Sequence, residues 1–229
     1  QHGNITTRGA DAYGIQASGA VDDGVSTDVT VTQSGNITTR GDRASGIIAS
    51  SASGSPTMRS GDVTVTQTGD IIATGDNANG ISATAHRTHS DTGNVTVTQT
   101  GNIASKDSGI YAWSERNSGR VTVTQSGSIT TDGDGIYAWS GGGDVTVSQS
   151  GRIVAGSNGI RAHNDPATGT GATTIYLKDS IIQGGASDAG VFIESPKPAT
   201  LNTSGVTTIS ALSGTAVLSL GGDDAFNNS

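Results

Sequence analysis

A segment close to VTVTQSG recurs five times along this chain, and after each copy a turn rich in Gly, Asp and Asn leads to a Gly-Ile-x-Ala segment. The copies begin at Val29, Val63, Val95, Val121 and Val145, and a fainter sixth copy spans 173–179. Their starting points are separated by 34, 32, 26, 24 and 28 residues. Self-similarity at such a period predicts a repeat architecture, in which each unit buries its apolar side against the next.

The composition alone would suggest disorder. Leu, Ile, Val and Phe make up 42 of the 229 residues, about 18%, which is below the usual share for a folded chain. The apolar residues nevertheless recur at fixed positions, so we expect an ordered chain. Cysteine is absent, which excludes disulfides and thiolate metal sites. The net charge of −8 argues against nucleic acid or an anionic membrane as a partner.

Strict alternation within each copy predicts a half-buried strand, with the two valines and the glutamine pointing inward and the two threonines outward. After the first copy, Ile37 would be the inward residue of a second short strand, and Ile47 and Ala49 the inward pair of a third. Three short strands per turn, or rung, predict an all-β fold. We therefore expect a right-handed parallel β-helix, a solenoid of about seven rungs.

Stacked rungs should place equivalent residues in vertical columns. The first apolar column is predicted to contain Val31, Val65, Val97, Val123, Val147 and Ile175. The second is predicted to contain Ile5, Ile37, Ile71, Ile103, Ile129, Ile153 and Ile181. The third is predicted to contain Ile15, Ile47, Ile81, Ile110, Ile136, Ile160 and Val191. A column of small residues contains Ala17, Ala49, Ala83, Ala112, Ala138 and Ala162, and Ile193 ends it. No polar residue falls in these columns, which supports the assignment.

A glutamine column is predicted to lie buried near a corner, with its side-chain amides hydrogen-bonded from rung to rung as a ladder. Its members are Gln33, Gln67, Gln99, Gln125 and Gln149. In the sixth copy Leu177 takes the same position, which supports an inward orientation.

Candidate catalytic or metal-binding residues are few, and we expect no catalytic residue, metal site or cofactor. Most acidic residues fall in turns, where Asp is favoured for its turn geometry. Examples are Asp11, Asp42, Asp76, Asp107, Asp132 and Asp134. A calcium ion shared by Asp28 and Asp62 is one alternative, although Asn94 and Arg120 continue that column.

Two loops also depart from the repeat. His86, His89 and Asp91 share one loop, but a His-x-x-His pair outside a helix is more often solvated than metal-bound. The longest loop, 50–62, contains Pro56 and Met58. Insertions of this kind lie on one edge of a solenoid, often the binding side.

The sharpest departure from the repeat is aromatic. Two successive third strands read Gly-Ile-Tyr-Ala-Trp-Ser, which places Tyr111, Trp113, Tyr137 and Trp139 outward, one rung apart. We predict that this two-by-two patch, bordered by Arg161 and His163, is a binding surface, since exposed Trp and Tyr are typical of contact hot spots. The alternative is that the loops 114–120 or 140–144 fold over the rings and make a satellite core.

The outward threonines of the first strands support a second hypothesis, an ice-binding face. They form pairs on successive rungs: Thr30, Thr32, Thr64, Thr66, Thr96, Thr98, Thr122, Thr124 and Thr146. Such a regular array of hydroxyl and methyl groups would order water on a flat face. The alternative is that Thr is simply a good outward strand residue.

The repeat G-[DN]-V-T-V-T-Q-[ST]-G-[ND]-I, its G-I-x-A partner and the final LGGDDAFNNS resemble passenger domains of bacterial autotransporters of the adhesin type (type V, monomeric). The resemblance covers nearly the whole chain and weakens after Ala162. It implies export through the outer membrane and display at the cell surface, with adhesion as the activity and a role in virulence and biofilm. We expect residues 1–229 to be one β-helical segment truncated at both ends, with degenerate rungs over 163–229.

The function expected from the resemblance is non-enzymatic. The partners would be a host glycan or protein, or a like passenger in self-association, without insertion of this segment into a membrane. An ice-binding solenoid is the first alternative, and a polysaccharide-cleaving β-helix enzyme is the second.

Overall fold

The structure is a computed structural model and describes residues 1–21, 27–53, 59–87, 91–116, 118–165 and 167–229. Within these ranges all regular elements are β-strands, and no helix is long and apolar enough to span a membrane. The strands are β1 (Ile5–Arg8), β2 (Ile15–Val21), β3 (Val29–Ser34), β4 (Ile37–Arg40), β5 (Ile47–Ser53), β6 (Val63–Thr68), β7 (Ile71–Ala73), β8 (Ile81–Arg87), β9 (Val95–Thr100), β10 (Ile103–Ser105), β11 (Ile110–Ser114), β12 (Val121–Ser126), β13 (Ile129–Thr131), β14 (Ile136–Ser140), β15 (Val145–Ala155), β16 (Ile160–Asn164), β17 (Thr173–Gly184), β18 (Ala189–Glu194), β19 (Ala199–Ser204), β20 (Thr208–Ala211), β21 (Thr215–Leu220) and β22 (Ala225–Asn228).

These strands stack in parallel on three faces of a solenoid of about seven turns. Face 1 consists of β3, β6, β9, β12, the first parts of β15 and β17, and then β19 and β22. Face 2 consists of β1, β4, β7, β10, β13, the last parts of β15 and β17, and β20. Face 3 consists of β2, β5, β8, β11, β14, β16, β18 and β21. The predicted parallel β-helix with three short strands per turn is confirmed.

The apolar columns form one continuous core along the axis of the solenoid. The register of the strands confirms three of the four predicted columns: the valine column of face 1, the isoleucine column of face 3 and the alanine column of face 3. The fourth column, on face 2, is confirmed as far as Ile153.

The placement of Ile181 in the core was wrong. Ile182 pairs with Ile153 and is fully buried, whereas Ile181 pairs with Arg152 and is 46% exposed. The register shifts by one residue just after Lys178, at Asp179, which adopts a left-handed φ of 47°. Counting residues from the strand start cannot detect such an insertion, because a bulge moves every later side chain by one position and hence to the other face.

The glutamine column is buried and in register as predicted, but it forms no amide ladder. Each Nε2 donates instead to a glycine carbonyl of the neighbouring rung. The pairs are Gln33–Gly3 at 2.7 Å, Gln67–Gly35 at 2.8 Å, Gln99–Gly69 at 2.8 Å, Gln125–Gly101 at 3.0 Å and Gln149–Gly127 at 3.4 Å. The prediction failed because it considered only side-chain acceptors, and the backbone carbonyl at the corner lies within reach of the amide.

The glycine of each corner is required by geometry. Gly69 has a φ of 120°, a conformation that residues with a Cβ rarely adopt. A Cβ on Gly69 would also lie 2.7 Å from the carbonyl oxygen of Gly35 in the neighbouring rung. The Gln-x-Gly corners therefore act together from rung to rung: the glycine turns the chain, and the glutamine donates to the carbonyl group of the corner glycine in the preceding rung.

Candidate functional site

The four aromatic residues occupy adjacent strands of face 3. β11 and β14 pair in register, so Tyr111 lies beside Tyr137 and Trp113 beside Trp139. The alternating residues of both strands, two isoleucines and two alanines, are fully buried in the core. Because successive side chains of a strand point to opposite sides, the four rings lie on the outer surface, as predicted. We call these four residues the aromatic ladder.

The rings of the aromatic ladder contact one another. Tyr111 and Tyr137 are stacked, with centroids 5.0 Å apart and planes within 5°. Trp113 and Trp139 meet edge to face at 5.4 Å and 71°, and Tyr111 meets Trp113 edge to face at 6.2 Å. Contacts of this kind stabilise a pair by about 0.5–1.5 kcal/mol beyond the area that they bury. The ladder is therefore an ordered surface and not a set of independent side chains.

The ladder continues in both directions along face 3. The ring of His86 lies 5.7 Å from Trp113, and the ring of His163 lies 5.9 Å from Trp139. The guanidinium of Arg161 lies over Tyr137 at 5.2 Å and over Phe192 at 5.5 Å. Sequence reasoning placed Arg161 and His163 at the border correctly but missed the ring contacts of His86 and Phe192. The signal for Phe192 was its position in the same column, one rung beyond Arg161.

All four rings are half-buried, which is intermediate between the predicted exposed binding patch and the alternative of a satellite core covered by loops. A cleft of about 300 Å³ opens beside the indoles. Its walls are Trp113, Glu115, Arg116, Trp139, Asp165 and Thr168. The loop after β11 thus supplies one wall of the cleft without enclosing the rings. Within the described part of the chain, the buried indole Nε1 of Trp113 has no hydrogen-bond acceptor.

Burial changes the ionisation of the groups around the ladder. It raises the pKa of Tyr111 to about 12 and also raises the pKa of Tyr137, so both phenols are neutral donors at neutral pH. It lowers the pKa of His163, although the nearby carboxylate of Glu194 opposes this shift. The imidazole of His163 is therefore neutral at neutral pH. Its Nδ1 lies 3.1 Å from Oε2 of Glu194, and His86 and Glu115 form the equivalent pair at 3.1 Å.

The threonines of face 1 form the regular array that the sequence predicts. Strand register places Thr30 beside Thr64 and continues that column through Thr96 and Thr122 to Thr146. Their side chains are half-buried or exposed. The second column of the array changes to Ser148 and then to Tyr176, which is 49% exposed, so the regular face extends over five rungs.

The acidic turn residues have structural partners. Oδ1 of Asp28 accepts the backbone N–H of Asp62 at 2.8 Å, and Oδ1 of Asp62 accepts that of Asn94 at 2.8 Å. Similar bonds link Asn4, Asn36, Asp70, Asn102 and Ser128 on the neighbouring corner. Among the described residues, no group of three potential His, Cys, Asp or Glu ligands lies close enough to hold a metal ion. His89, Pro56 and Met58 lie outside the described residues.

Comparison with known proteins gave no further guide to the ladder: no family model, no curated protein and no solved structure matched the chain. Its chemistry has to be judged from its own residues. Two indoles, two phenols, a stacked guanidinium and two imidazoles suit non-covalent contact, in which flat rings pack on an apolar face and polar edges form hydrogen bonds.

Proposed function

We propose that this chain is a non-enzymatic contact segment of a bacterial autotransporter passenger of the adhesin type, displayed at the cell surface. The observation that carries the proposal is the aromatic ladder, an ordered, half-exposed set of four contacting rings on the outer surface of face 3. Its partner would be a host glycan or protein, or a second passenger. The repeat and its resemblance to such passengers support the location, and the ladder supports the activity.

The outer surface of the solenoid supports contact over catalysis. Catalysis by a β-helix enzyme needs carboxylates or basic groups that converge on a substrate. The carboxyl oxygens at the corners accept backbone N–H groups of the next rung, as Asp28 and Asp62 do. The regular outward positions of face 1 carry Thr or Ser over five rungs. Exposed aromatic rings, by contrast, are enriched where proteins bind each other and where sugars are held by stacking.

A double substitution tests this proposal. Trp113→Ala with Trp139→Ala should abolish adhesion of beads coated with the chain to other coated beads or to a glycan array, because it removes both indoles. The control is Ser82→Ala with Thr84→Ala, since these outward residues occupy the positions of Tyr111 and Trp113 one rung earlier. Thermal unfolding of each variant checks the fold. Adhesion that survives the Trp substitutions in a folded chain would contradict the proposal.

A second candidate function is ice binding, which the in-register threonine columns of face 1 favour. Hydroxyl and methyl groups repeat there along a column at the strand spacing of about 4.8 Å, which can order water on a rigid surface. Thermal hysteresis of the purified chain tests it. Thr96→Lys with Thr98→Lys should abolish any hysteresis without unfolding the solenoid, whereas a parent chain without hysteresis or ice shaping rules the function out.

A further inference from the structure

Arg161 lies at the centre of a second group of side chains on face 3. It is an outward residue of β16, and strand register places it between Tyr137 of β14 and Phe192 of β18. Its guanidinium lies within 5.2 Å of the first ring centroid and 5.5 Å of the second. Two aromatic contacts fix the plane of the guanidinium, so its N–H groups are held in a fixed direction.

This half-buried cation has no polar partner within the described part of the chain, where no hydrogen bond or ion pair engages its guanidinium. The nearby carboxylate of Asp134 attracts Arg161 electrostatically but forms no hydrogen bond with it. Its Oδ1 accepts the backbone N–H of Asn158 at 2.8 Å and the side-chain amide of Asn158 at 3.0 Å. Arg161 therefore offers several oriented donors to a group that the protein itself does not supply.

A cleft of about 340 Å³ adjoins the guanidinium. Besides Arg161, its polar lining includes Asn158, Asp188 and Thr215, and its apolar lining includes Phe192 and Leu218, which is 36% exposed. The two tryptophans of the aromatic ladder do not line it. The cleft is thus a separate part of face 3, with its own combination of a fixed cation, a carboxylate and an apolar wall.

The fixed cation, the carboxylate and the apolar wall together restrict the class of ligand that the cleft can bind. The guanidinium favours an acceptor group that presents two oxygens side by side, which a carboxylate provides. The carboxylate of Asp188 requires hydroxyl or amide donors, and it would repel an inorganic anion that has none. The ring of Phe192 and the side chain of Leu218 require an apolar face. A cleft of this volume also suits one small unit, whereas a stable protein interface needs a surface of about 1,000 Å² or more.

We propose that the Arg161 cleft is a subsite for an acidic saccharide, a sugar unit whose carboxylate binds Arg161, whose hydroxyl groups donate to Asp188 and whose ring face packs on Phe192. The inference goes beyond the proposed function, because it assigns a ligand class to a second cleft on face 3, beside the aromatic ladder. It predicts that the chain distinguishes acidic from neutral sugars although its own net charge is −8.

Titration calorimetry with uronic acid oligosaccharides and sialylated oligosaccharides tests this subsite. The matched control ligands are the same compounds with each carboxyl group reduced to an alcohol. We expect the acidic compound to bind and the reduced one to bind about tenfold or more weakly, because a charge-assisted hydrogen bond is lost. Binding should also weaken as salt increases.

Variants assign the binding to the cleft. Arg161→Gln should weaken binding of the acidic oligosaccharide about tenfold to a hundredfold, and Arg161→Lys should restore only part of it because ammonium lacks the planar pair of donors. Arg152→Gln is the matched control, since Arg152 is an exposed arginine on face 2. Equal affinity for acidic and reduced sugars, equal affinity of the Arg161→Gln variant and the parent, or no binding of any acidic oligosaccharide would overturn the subsite.

The Trp113→Ala, Trp139→Ala variant separates this inference from the proposed function. It leaves every residue that lines the Arg161 cleft in place, so acidic sugars should still bind to it while adhesion is lost. Adhesion that depends on the tryptophans, without binding of acidic sugars to the parent chain, would refute the subsite and leave the proposed function standing. Sugar binding at Arg161 without tryptophan-dependent adhesion would refute the proposed function alone.

Discussion

The Gln-x-Gly corners and the aromatic ladder lie in the same turns of one solenoid, yet the corners hold neighbouring rungs together and the ladder forms part of the outer surface. At the corners, the repeated residues form hydrogen bonds to the neighbouring rung, as Gln99 does to the carbonyl oxygen of Gly69. At the ladder, the outward residues change completely from Ser82 and Thr84 to Tyr and Trp, while the buried residues beneath them stay Ile and Ala. Stacking fixes the inner residues, and the outer surface can therefore vary without cost to the core.

The largest effect on stability is expected beneath the ladder. Ile136 is fully buried and lies between Ile110 and Ile160 in the column. Ile136→Ala should lower the free energy of unfolding by about 2–5 kcal/mol, because it removes buried methyl groups and leaves a cavity. Urea unfolding measures this loss, and Ile129→Ala on face 2 should lose a similar amount. A much smaller loss at Ile136 would mean that the ladder region is less tightly packed than the rest.

The next largest effect is expected at the corner. Gln99→Ala leaves the carbonyl of Gly69 without its donor and should cost about 1–3 kcal/mol. Gln99→Leu should cost less, because Leu177 fills the same position in a later rung. Thermal or urea unfolding compares the two variants. If they are equally stable, then the hydrogen bond and not the filled volume accounts for the glutamine.

A smaller effect is expected for the outer surface itself. Trp139→Ala should lower the free energy of unfolding by about 1 kcal/mol, because it removes ring contacts but opens no cavity in the core. Urea unfolding beside the Thr84→Ala variant measures this difference. A loss as large as that of Ile136→Ala would place the indoles in a satellite core, which is the structural alternative to a binding surface.

The last effect is confined to alkaline pH. Burial raises the pKa of Tyr111 from 10.0 to about 12, so its neutral form contributes stability that is complete below about pH 10. This contribution is lost as pH rises through about 12, because the unfolded chain then releases the proton more readily than the folded one. Tyr111→Phe should therefore flatten the fall in stability over pH 10 to 12. Urea unfolding across that range tests it, with Tyr176→Phe as the control.

Much of the fold could be predicted, because alternation within a strand and repetition between rungs constrain the same residues. The valine column from Val31 and the glutamine column from Gln33 are in register as expected. The error in the core columns arose where one strand contains a residue more than the strand beside it. Asp179 adds one residue and moves Ile182 into the core, and no local pattern separates the two adjacent isoleucines.

The candidate site could be predicted only in part. The period of two placed Tyr111 and Trp113 outward, and the repeat placed their partners one rung away. The ring contacts of His86 and the position of Arg161 between two rings depend on side-chain conformations and on neighbours that are distant in the chain. Alternation gives the side of a strand on which a residue lies but not the direction of its terminal atoms.

The sequence by itself determined the solenoid, its three strands per turn and most residues of its core, because the rungs repeat the same burial pattern. The tertiary structure alone decided which hydrogen-bond acceptor each glutamine uses, where the register shifts and how far the loops leave the indoles open. The glutamine acceptors, for example, lie in neighbouring rungs that are 22 to 32 residues away in the chain. Only the folded chain brings them within hydrogen-bond distance.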